Sequence, residues 1–378
     1  MRPTDLETLA QGNQAFAIDL YQQLRKADGN LFFSPFSISV ALAMTCAGAR
    51  ANTEAQMKQV LHFALDNENL HAAFADLQAE LAQAEAAGGV QLKIANSLWP
   101  QAGYPFLAEF IALTESYYGV SVTPVNYHEA EAASQTINAW VEAKTGNKIT
   151  HLISPGILND LTRLTLVNAI YFKGNWADQF DERATRQADF WSPGGRVSRP
   201  MMNRTDEYRY LENELLQALE LPYAGNGLSM WILLPKERDG LPQLESRMTP
   251  ALLDELAAGM RERKVIVSIP KFKAEAAFRL DGALKSLGMT DAFDDKANFA
   301  GMNGNPADLY ISAALHKAFI EVNEEGSEAA AATAIVMQSR SMTPNPPPAF
   351  RADHPFLFLI REKRTGNILF MGRLVDPQ

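Results

Sequence analysis

The chain has 378 residues, of which 47% are apolar, with a formal net charge of −10 and an isoelectric point near 5.2. The apolar content can build a large core, and the acidic balance excludes the basic surface that nucleic acids and anionic membranes require. We therefore expect neither a nucleic acid nor a membrane as partner. No stretch reaches the roughly 18 consecutive apolar residues of a membrane-spanning helix, so we expect a soluble protein.

The predicted elements change character near the middle of the chain. Helices are expected at 5–26, 37–49, 52–63, 69–87, 105–118 and 129–144, and strands at 90–99 and 120–127. Strands then dominate, at 164–172, 198–210, 215–221, 229–234, 264–272, 316–322, 356–361 and 369–375, with helices at 249–258 and 280–287. Helices followed by many strands indicate an α+β fold. No linker, charge block or internal repeat divides the chain, so we expect one domain spanning 1–378.

Cys46 is the only cysteine and lies in the apolar run 40–47, so we expect a buried small hydrophobe and no internal disulfide. A helical pattern follows Met1 at once, without the basic and apolar regions of a signal peptide. The expected cellular location therefore depends on processing: extracellular or periplasmic if a signal peptide was removed, and cytoplasmic otherwise.

The most informative segment is a run of small residues that follows the strand predicted at 316–322 and ends in prolines at 344–348. A loop of this length in a compact protein is normally functional or disordered. Its residues alternate, however, so that as a strand it would have one small and apolar face. That face would carry Ser327, Ala329, Ala331, Thr333, Ile335 and Met337. A loop that can become a strand indicates a conformational switch.

The sequence EEGSEAAAATA at 324–334 resembles the hinge of inhibitory serpins, and further motifs match that family in order. They are NLFFSPFSIS (30–39), LVNAIYFKGNW (166–176), LELPY (219–223), IPKF (269–272), LGM (287–289), HPFLF (354–358) and LFMGR (369–373). The matches span roughly residues 5 to 376, and so many ordered motifs are specific where each alone would be weak. The resemblance implies a serpin fold with three β-sheets, about nine helices and an exposed reactive-centre loop at about 324–350.

The resemblance also implies an activity, the irreversible inhibition of a serine protease by a suicide substrate whose loop inserts into the main sheet after cleavage. In the family's register the reactive bond is Arg340–Ser341, and arginine there fits the acidic specificity pocket of a trypsin-like protease. The segment from Ser341 to Pro355 is several residues longer than usual in serpins. Cleavage after Met337 is a secondary alternative.

Three further groups of residues are carried over from the family, motif by motif. The hinge comprises Glu324, Gly326, Ser327, Ala329, Ala330, Ala331 and Ala332. The shutter, where the sheet must part, comprises Ser34, Ser37, Asn168 and His316. The breach, where the loop enters, comprises Trp176, Lys271 and Glu324. Each shutter and breach residue could instead be an ordinary turn, cap, core or surface residue, and Lys271–Glu324 as a surface pair would contribute only about 0–1 kcal/mol.

Enzyme motifs are missing from the sequence, which has no Gly-x-Ser-x-Gly, His-Glu-x-x-His, Walker or Gly-x-Gly-x-x-Gly pattern. The six histidines lack metal-ligand spacing, so we expect no catalytic activity, cofactor or metal site. No Lys or Arg occurs between Gln59 and Leu92, where some serpins bind heparin-like polyanions. We therefore expect no such activator, and a monomer whose partner is a protease.

Two alternatives remain. A non-inhibitory serpin, acting as a binding or chaperone-like module, would share the fold. Such proteins tend to carry bulky, charged or proline residues where this chain has Ser327 and 329–332, so the hinge favours inhibition. A cross-class inhibitor of a cysteine protease would require the cut at Met337 or beyond Arg340.

Overall fold

The computed structural model describes residues 4–120, 122–306, 308–327 and 346–377, with Ser327 described by its backbone alone. The α-helices in these ranges are α1 (Asp5–Leu24), α2 (Pro35–Gly48), α3 (Ala51–Val60), α4 (Asn67–Ala86), α5 (Ala108–Tyr118), α6 (Ala130–Lys144), α7 (Leu241–Ser246), α8 (Pro250–Gly259), α9 (Asp281–Leu287) and α10 (Ala300–Asn303). The strands are β1 (Leu31–Phe33), β2 (Val90–Pro100), β3 (Leu164–Asn175), β4 (Arg186–Ser192), β5 (Gly195–Glu212), β6 (Leu216–Pro222), β7 (Leu228–Pro235), β8 (Arg261–Pro270), β9 (Phe272–Arg279), β10 (Ala313–Val322), β11 (Gly326–Ser327), β12 (Ala349–Arg351), β13 (Phe356–Glu362) and β14 (Ile368–Leu374).

The α+β architecture is confirmed, and two predicted strands are wrong in detail. The segment predicted as a strand at 120–127 makes only isolated bridges, at Val122 and Val125. Pro124 between them has no N–H to donate to a ladder. The strand predicted at 264–272 is two strands, because β8 ends at Pro270 and β9 begins at Phe272.

Within the described residues the strands form two hydrogen-bonded sheets, and the larger combines two of the three sheets that the resemblance implied. The larger has the order β1-β14-β13-β7-β6-β5-β8-β12, with β4 also paired to β5. The 18-residue strand β5 joins its two parts, because it pairs with β8 over 201–210 and with β6 over 209–212. The smaller sheet contains β2, β3, β10 and β9, and the two residues of β11 add to β3.

The centre of the smaller sheet is a parallel pair. β3 and β10 pair directly from Thr165 opposite Ala313 to Tyr171 opposite Phe319. Each also has an antiparallel neighbour, β2 on β3 and β9 on β10. In the described part of the chain no strand separates β3 from β10, so the sheet has not taken up a further strand between them.

Helix α2 packs beneath this sheet and contacts both β2 and β3. Every residue of α2 except Ala47 is buried, and the prediction that Cys46 is a buried small residue is confirmed. Ser34 caps its first turn by accepting a hydrogen bond from the Ser37 backbone N–H, and Pro35 occupies the first helical position. The polar start of α2 therefore lies within the core, directly under the sheet.

A buried ionic cluster fixes the last strand to the first helix. The carboxylate of Glu245 accepts hydrogen bonds from Tyr21 at 2.5 Å, Arg373 at 3.0 Å and Arg25 at 3.2 Å. Arg373 also donates from Nε to the Gly29 carbonyl at 2.8 Å. The side chains of Glu245 and Arg373 are 4% and 9% exposed. Breaking such a pair is costly, since it leaves one charge in the core without its partner.

Replacing Arg373 by Met should therefore lower the stability of the native state by about 3 kcal/mol. Arg199→Met is the matched control, since Arg199 pairs with Asp376 at 2.8 Å in a half-exposed position and should cost less than about 1 kcal/mol. Urea unfolding followed by circular dichroism measures both. Equal losses in the two variants would contradict the assignment.

Candidate functional site

Strand β11 marks the entry to a gap between β3 and β10. Gly326 lies opposite Asn175, and Ser327 lies opposite Gly174, both antiparallel to β3. Gly174 already pairs with Val90 of β2 on one edge, so β11 lies on the other edge, which faces β10. The chain thus turns back after β10 and begins a new strand at the place where β3 and β10 separate.

Gly326 makes this close approach sterically feasible. Its φ of +140° lies in a region that L side chains rarely adopt, and a Cβ on this residue would be 2.0 Å from the Gly174 carbonyl oxygen. Any side chain at position 326 would therefore push the turn away from β3. The prediction that Gly326 belongs to the hinge stays a prediction, and this geometry supports it.

Trp176 holds the turn that precedes β11. Its ring is 3% exposed and stacks on Tyr223, with ring centroids 4.7 Å apart. The indole Nε1 donates to the Asn323 carbonyl at 3.0 Å, and the Trp176 backbone N–H donates to the Glu325 carbonyl at 2.8 Å. The Phe180 backbone N–H donates to the Glu324 carbonyl at 2.8 Å. Three consecutive carbonyl groups of the turn are thereby fixed.

Glu324 points inward from the same turn and forms the ion pair expected from the sequence. Its carboxylate accepts from Lys271 Nζ at 2.6 Å and from Thr185 Oγ1 at 2.7 Å. The Glu324 side chain is 4% exposed, whereas that of Lys271 is 39% exposed. Burial alone would raise the pKa of this carboxyl, but the hydrogen bonds from Lys271 and Thr185 outweigh it and hold the pKa below its ordinary value. Glu324 is therefore an anchored carboxylate rather than half of a surface pair.

The residues assigned to the shutter form a polar row across the sheet. The register places Asn96 of β2 opposite Asn168 of β3, and Asn168 opposite His316 of β10. Asn168 Nδ2 donates to Asn96 Oδ1, and His316 Nδ1 donates to Asn168 Oδ1. Phe278 of β9 continues the row by stacking on the His316 ring, with centroids 6.4 Å apart. The strands β2, β3, β10 and β9 are thus connected by side-chain contacts at a single position of the strand register.

Two serines of α2 complete this network from below. The Ser34 backbone N–H donates to His316 Nε2 at 3.1 Å, and Asn168 Nδ2 donates to Ser37 Oγ at 2.5 Å. The Ser34 hydroxyl donates to the Leu369 carbonyl at 2.6 Å. Because Nε2 accepts a hydrogen bond, the proton of the neutral imidazole is on Nδ1. His316 is fully buried, and this burial lowers its pKa to about 3.

Sequence reasoning missed three residues of the site, namely Asn96, Thr185 and Phe180. An asparagine inside the apolar strand predicted at 90–99 was a signal, because asparagine is depleted in strands. Its partner, however, depends on a register that the sequence does not reveal. Thr185 and Phe180 meet the turn through tertiary contacts with residues far along the chain.

Part of the predicted site lies outside the described residues. This applies to the reactive bond Arg340–Ser341, to Met337 and to the hinge residues 329–332. Within the ranges that the structure describes, no group of three or more His, Cys, Asp or Glu residues could hold a metal ion. None of the helices described has the length and apolarity to cross a membrane.

Comparison with known proteins gives one consistent result. The family profile described as Serpin (serine protease inhibitor) matches residues 11–377. The chain is 42% identical to human leukocyte elastase inhibitor over 385 residues, covering 98% of this chain and 100% of the relative. It is 41% identical to an uncharacterized serpin-like protein of Thermococcus kodakarensis, covering 96% of this chain and 84% of that protein. The solved structure of Serpin48, a highly specific serpin of the insect Tenebrio molitor, superposes with a TM-score of 0.88 at 34% identity and 98% coverage of both chains.

The buried histidine predicts acid sensitivity between pH 5 and 7. An unfolded histidine titrates near 6.5, whereas His316 in the native state stays neutral to about pH 3. Below pH 6.5 the unfolded state therefore binds a proton that the native state excludes. Stability should fall as the pH falls, by up to about 1.4 kcal/mol per pH unit for each such residue, and should level off above pH 7.

His71 is a second source of this effect, because burial lowers its pKa to about 4. In a His71→Gln variant, whose amide oxygen can still accept from the Tyr118 hydroxyl, the urea midpoint should still drop between pH 7 and pH 5, with about half of the original pH slope. A midpoint independent of pH in that variant would show that His316 is not held neutral.

Proposed function

The chain belongs to the serpin family, and on that premise we propose that it irreversibly inhibits a trypsin-like serine protease as a suicide substrate cleaved at Arg340–Ser341. Protease inhibition in general is the activity expected from its inhibitor-named relatives. The observation that carries the proposal is the entry strand β11, which starts a new antiparallel strand at the gap between β3 and β10.

The first step is ordinary proteolysis. The catalytic serine hydroxyl of the protease attacks the carbonyl carbon of Arg340, the peptide bond to Ser341 breaks, and an ester joins Arg340 to the protease. The released amino group becomes the new N-terminus at Ser341. The Arg340 guanidinium occupies the acidic specificity pocket through charge-assisted hydrogen bonds.

Cleavage frees one end of the loop, and the segment that follows Gly326 in the chain can then extend β11 along the sheet. Thirteen steps from Ser327 to Arg340 at about 3.3 Å each carry the attached protease about 43 Å. The protease is distorted at the far end of the sheet and cannot hydrolyse the ester. Loop insertion of this kind is among the known cases of strand addition and stored strain.

The polar row governs how easily the strand advances. β3 and β10 pair directly over Thr165–Tyr171 and Ala313–Phe319, so a strand between them must break that ladder and the bond between Asn168 and His316. Buried polar groups are costly while unpaired. Separation of the strands must therefore break the row, and the free-energy cost of breaking it keeps the uncleaved protein in a kinetically held state.

The hinge composition supports inhibition over the alternative of a non-inhibitory binding module. Residues that enter a closed sheet must be small, and Ser327 and 329–332 are small. Several relatives are named as elastase inhibitors, but this chain has Arg340 at the reactive position, which favours a trypsin-like target over elastase or a cysteine protease. We also propose that one domain acts as a monomer without a heparin-like activator.

The test is incubation with trypsin, followed by a denaturing gel and by mass analysis of the small C-terminal fragment. We expect a boiling-resistant band at the summed mass and a fragment that begins at Ser341. Arg340→Ala should abolish the complex without unfolding the protein. The control is Arg351→Ala, at an exposed arginine of β12, which should leave inhibition intact.

Cleavage without a covalent band would favour the non-inhibitory alternative. A fragment that begins at Gln338 or Met342 would refute the assignment of the reactive bond.

The entry strand gives a sharper test of insertion. Position 327 lies opposite Gly174, where a Cβ would point at the Phe172 and Tyr223 rings in the core, and directly opposed residues share a face. An arginine introduced at 327 should therefore face the core, which costs several kcal/mol for an unpaired cation. Slow insertion lets the protease hydrolyse the ester and leave.

Ser327→Arg should therefore convert the inhibitor into a substrate that is cleaved after Arg340 and forms little covalent complex. Glu328→Arg, on the opposite parity, should do far less. The measured quantity is moles of inhibitor consumed per mole of trypsin. Equal effects would refute the assignment of faces, and no effect of Ser327→Arg would refute insertion as the mechanism.

A further inference from the structure

A ligand-sized pocket lies far from the loop entry, at the opposite end of α2 from Ser34. It has a volume of about 440 Å³ and is bounded by α2, α3, α4 and α5. Its polar lining residues are Arg50, Glu54, Asn67, Glu68 and His71, and its apolar surface comes from Ala47, Leu113 and the Tyr117 ring. The volume lies within the range of about 300–1,000 Å³ that is common for pockets that bind small molecules.

His71 presents an N–H donor that no residue described by the structure uses. Its Nδ1 lies 2.6 Å from the Tyr118 hydroxyl, and both side chains are buried. Among the described residues the Tyr118 hydroxyl has no other hydrogen-bond acceptor, so its buried proton must go to Nδ1. The imidazole then carries its own proton on Nε2, and His71 is part of the pocket lining.

Arg50 contributes a cation to the lining of the same pocket. Its Nη1 donates to the Ala47 carbonyl at 3.0 Å and to the Ala49 carbonyl at 2.6 Å, which positions the guanidinium at the end of α2. Arg50 is also the N-cap residue of α3, and its side chain does not cap that helix. Ala51 has a φ of +52°, a conformation that a non-glycine residue rarely adopts and that is enriched at ligand sites.

The two acids of the lining differ in their pairing. Glu54 is bonded to Lys58 at 2.9 Å and to Asn67 at 3.1 Å. Glu68 is exposed and forms no ion pair within the described residues. Two carboxylates near the opening disfavour multiply charged anions such as phosphate esters. A single carboxylate can still be balanced by Arg50 and the His71 donor.

We propose that this pocket binds a small amphipathic monocarboxylate, whose carboxylate accepts hydrogen bonds from His71 Nε2–H and Arg50 and whose apolar body packs on Leu113 and Tyr117. The site is independent of the inhibitory mechanism. Its lining contains none of the hinge, breach or shutter residues.

Isothermal titration at pH 7.5 with 4-phenylbutyrate as the probe tests the proposal, with 4-phenylbutan-1-ol and 4-phenylbutylamine as isosteric controls. We expect the carboxylate to bind at least about tenfold more tightly than either control, as for a charge-assisted hydrogen bond. Arg50→Gln should lower its affinity by about tenfold. Glu68→Gln, which removes a like charge, should raise it severalfold.

His71→Phe should also abolish the preference for the carboxylate, but it leaves the Tyr118 hydroxyl unpaired and could unfold the site. The wild-type protein labelled with ¹⁵N-histidine avoids this problem, because the His71 Nε2 resonance should shift on addition of 4-phenylbutyrate. His128→Phe and Arg247→Gln, at exposed positions outside the pocket, should leave the affinity unchanged.

Three outcomes would overturn the proposal. One is the absence of carboxylate binding at millimolar concentration. The second is binding of the alcohol or the amine as strong as that of the carboxylate, which would refute the ligand class. The third is binding that Arg50→Gln does not weaken and that does not shift the His71 Nε2 resonance, because the probe would then bind elsewhere.

Discussion

The closed pairing of β3 with β10 is the constraint on which the rest of this structure depends. These strands hold each other directly over seven register positions, yet Gly326 already begins another strand beside them, where a Cβ would meet the β3 backbone at 2.0 Å. The architecture therefore contains the start of an arrangement that it has not completed. Completing it would give both inner strands a new antiparallel partner, whereas the present parallel ladder is slightly less favourable per residue.

The side chains beneath this pair explain how such a state can persist. An apolar interior would let the strands slide apart gradually, but the row Asn96–Asn168–His316 and the serines at the start of α2 are closed by specific bonds. Each group is satisfied in the closed sheet, and separation leaves several of them unpaired in the core at once. In the mechanism that we propose, the barrier to opening is therefore local and cooperative, and it acts on the rate of opening more than on the equilibrium stability of the fold.

The sequence was sufficient for most of the element order, because periodicity and caps act locally, and its motifs named residues that the fold brings into contact, such as Asn168 with His316 and Lys271 with Glu324. It was insufficient where the partner of a residue depends on the strand register, or where its role depends on how deeply the fold buries it. Asn96 joins the row only because β2 places it opposite Asn168. Glu324 has the chemistry of a surface pair in the sequence, but its side chain is 4% exposed in the fold. The strand expected at 120–127 failed because Pro124 cannot join a ladder.

The most direct measurement of the central claim is the thermal unfolding midpoint before and after a single cut within 330–345. Nicking an ordinary loop leaves the midpoint unchanged or lowers it, because the cut adds freedom and no contacts. If the closed sheet is one strand short of its best arrangement, the cut lets the loop extend β11 between β3 and β10, and the midpoint should rise greatly. An unchanged or lower midpoint would contradict the account, because it would mean that the loop does not insert.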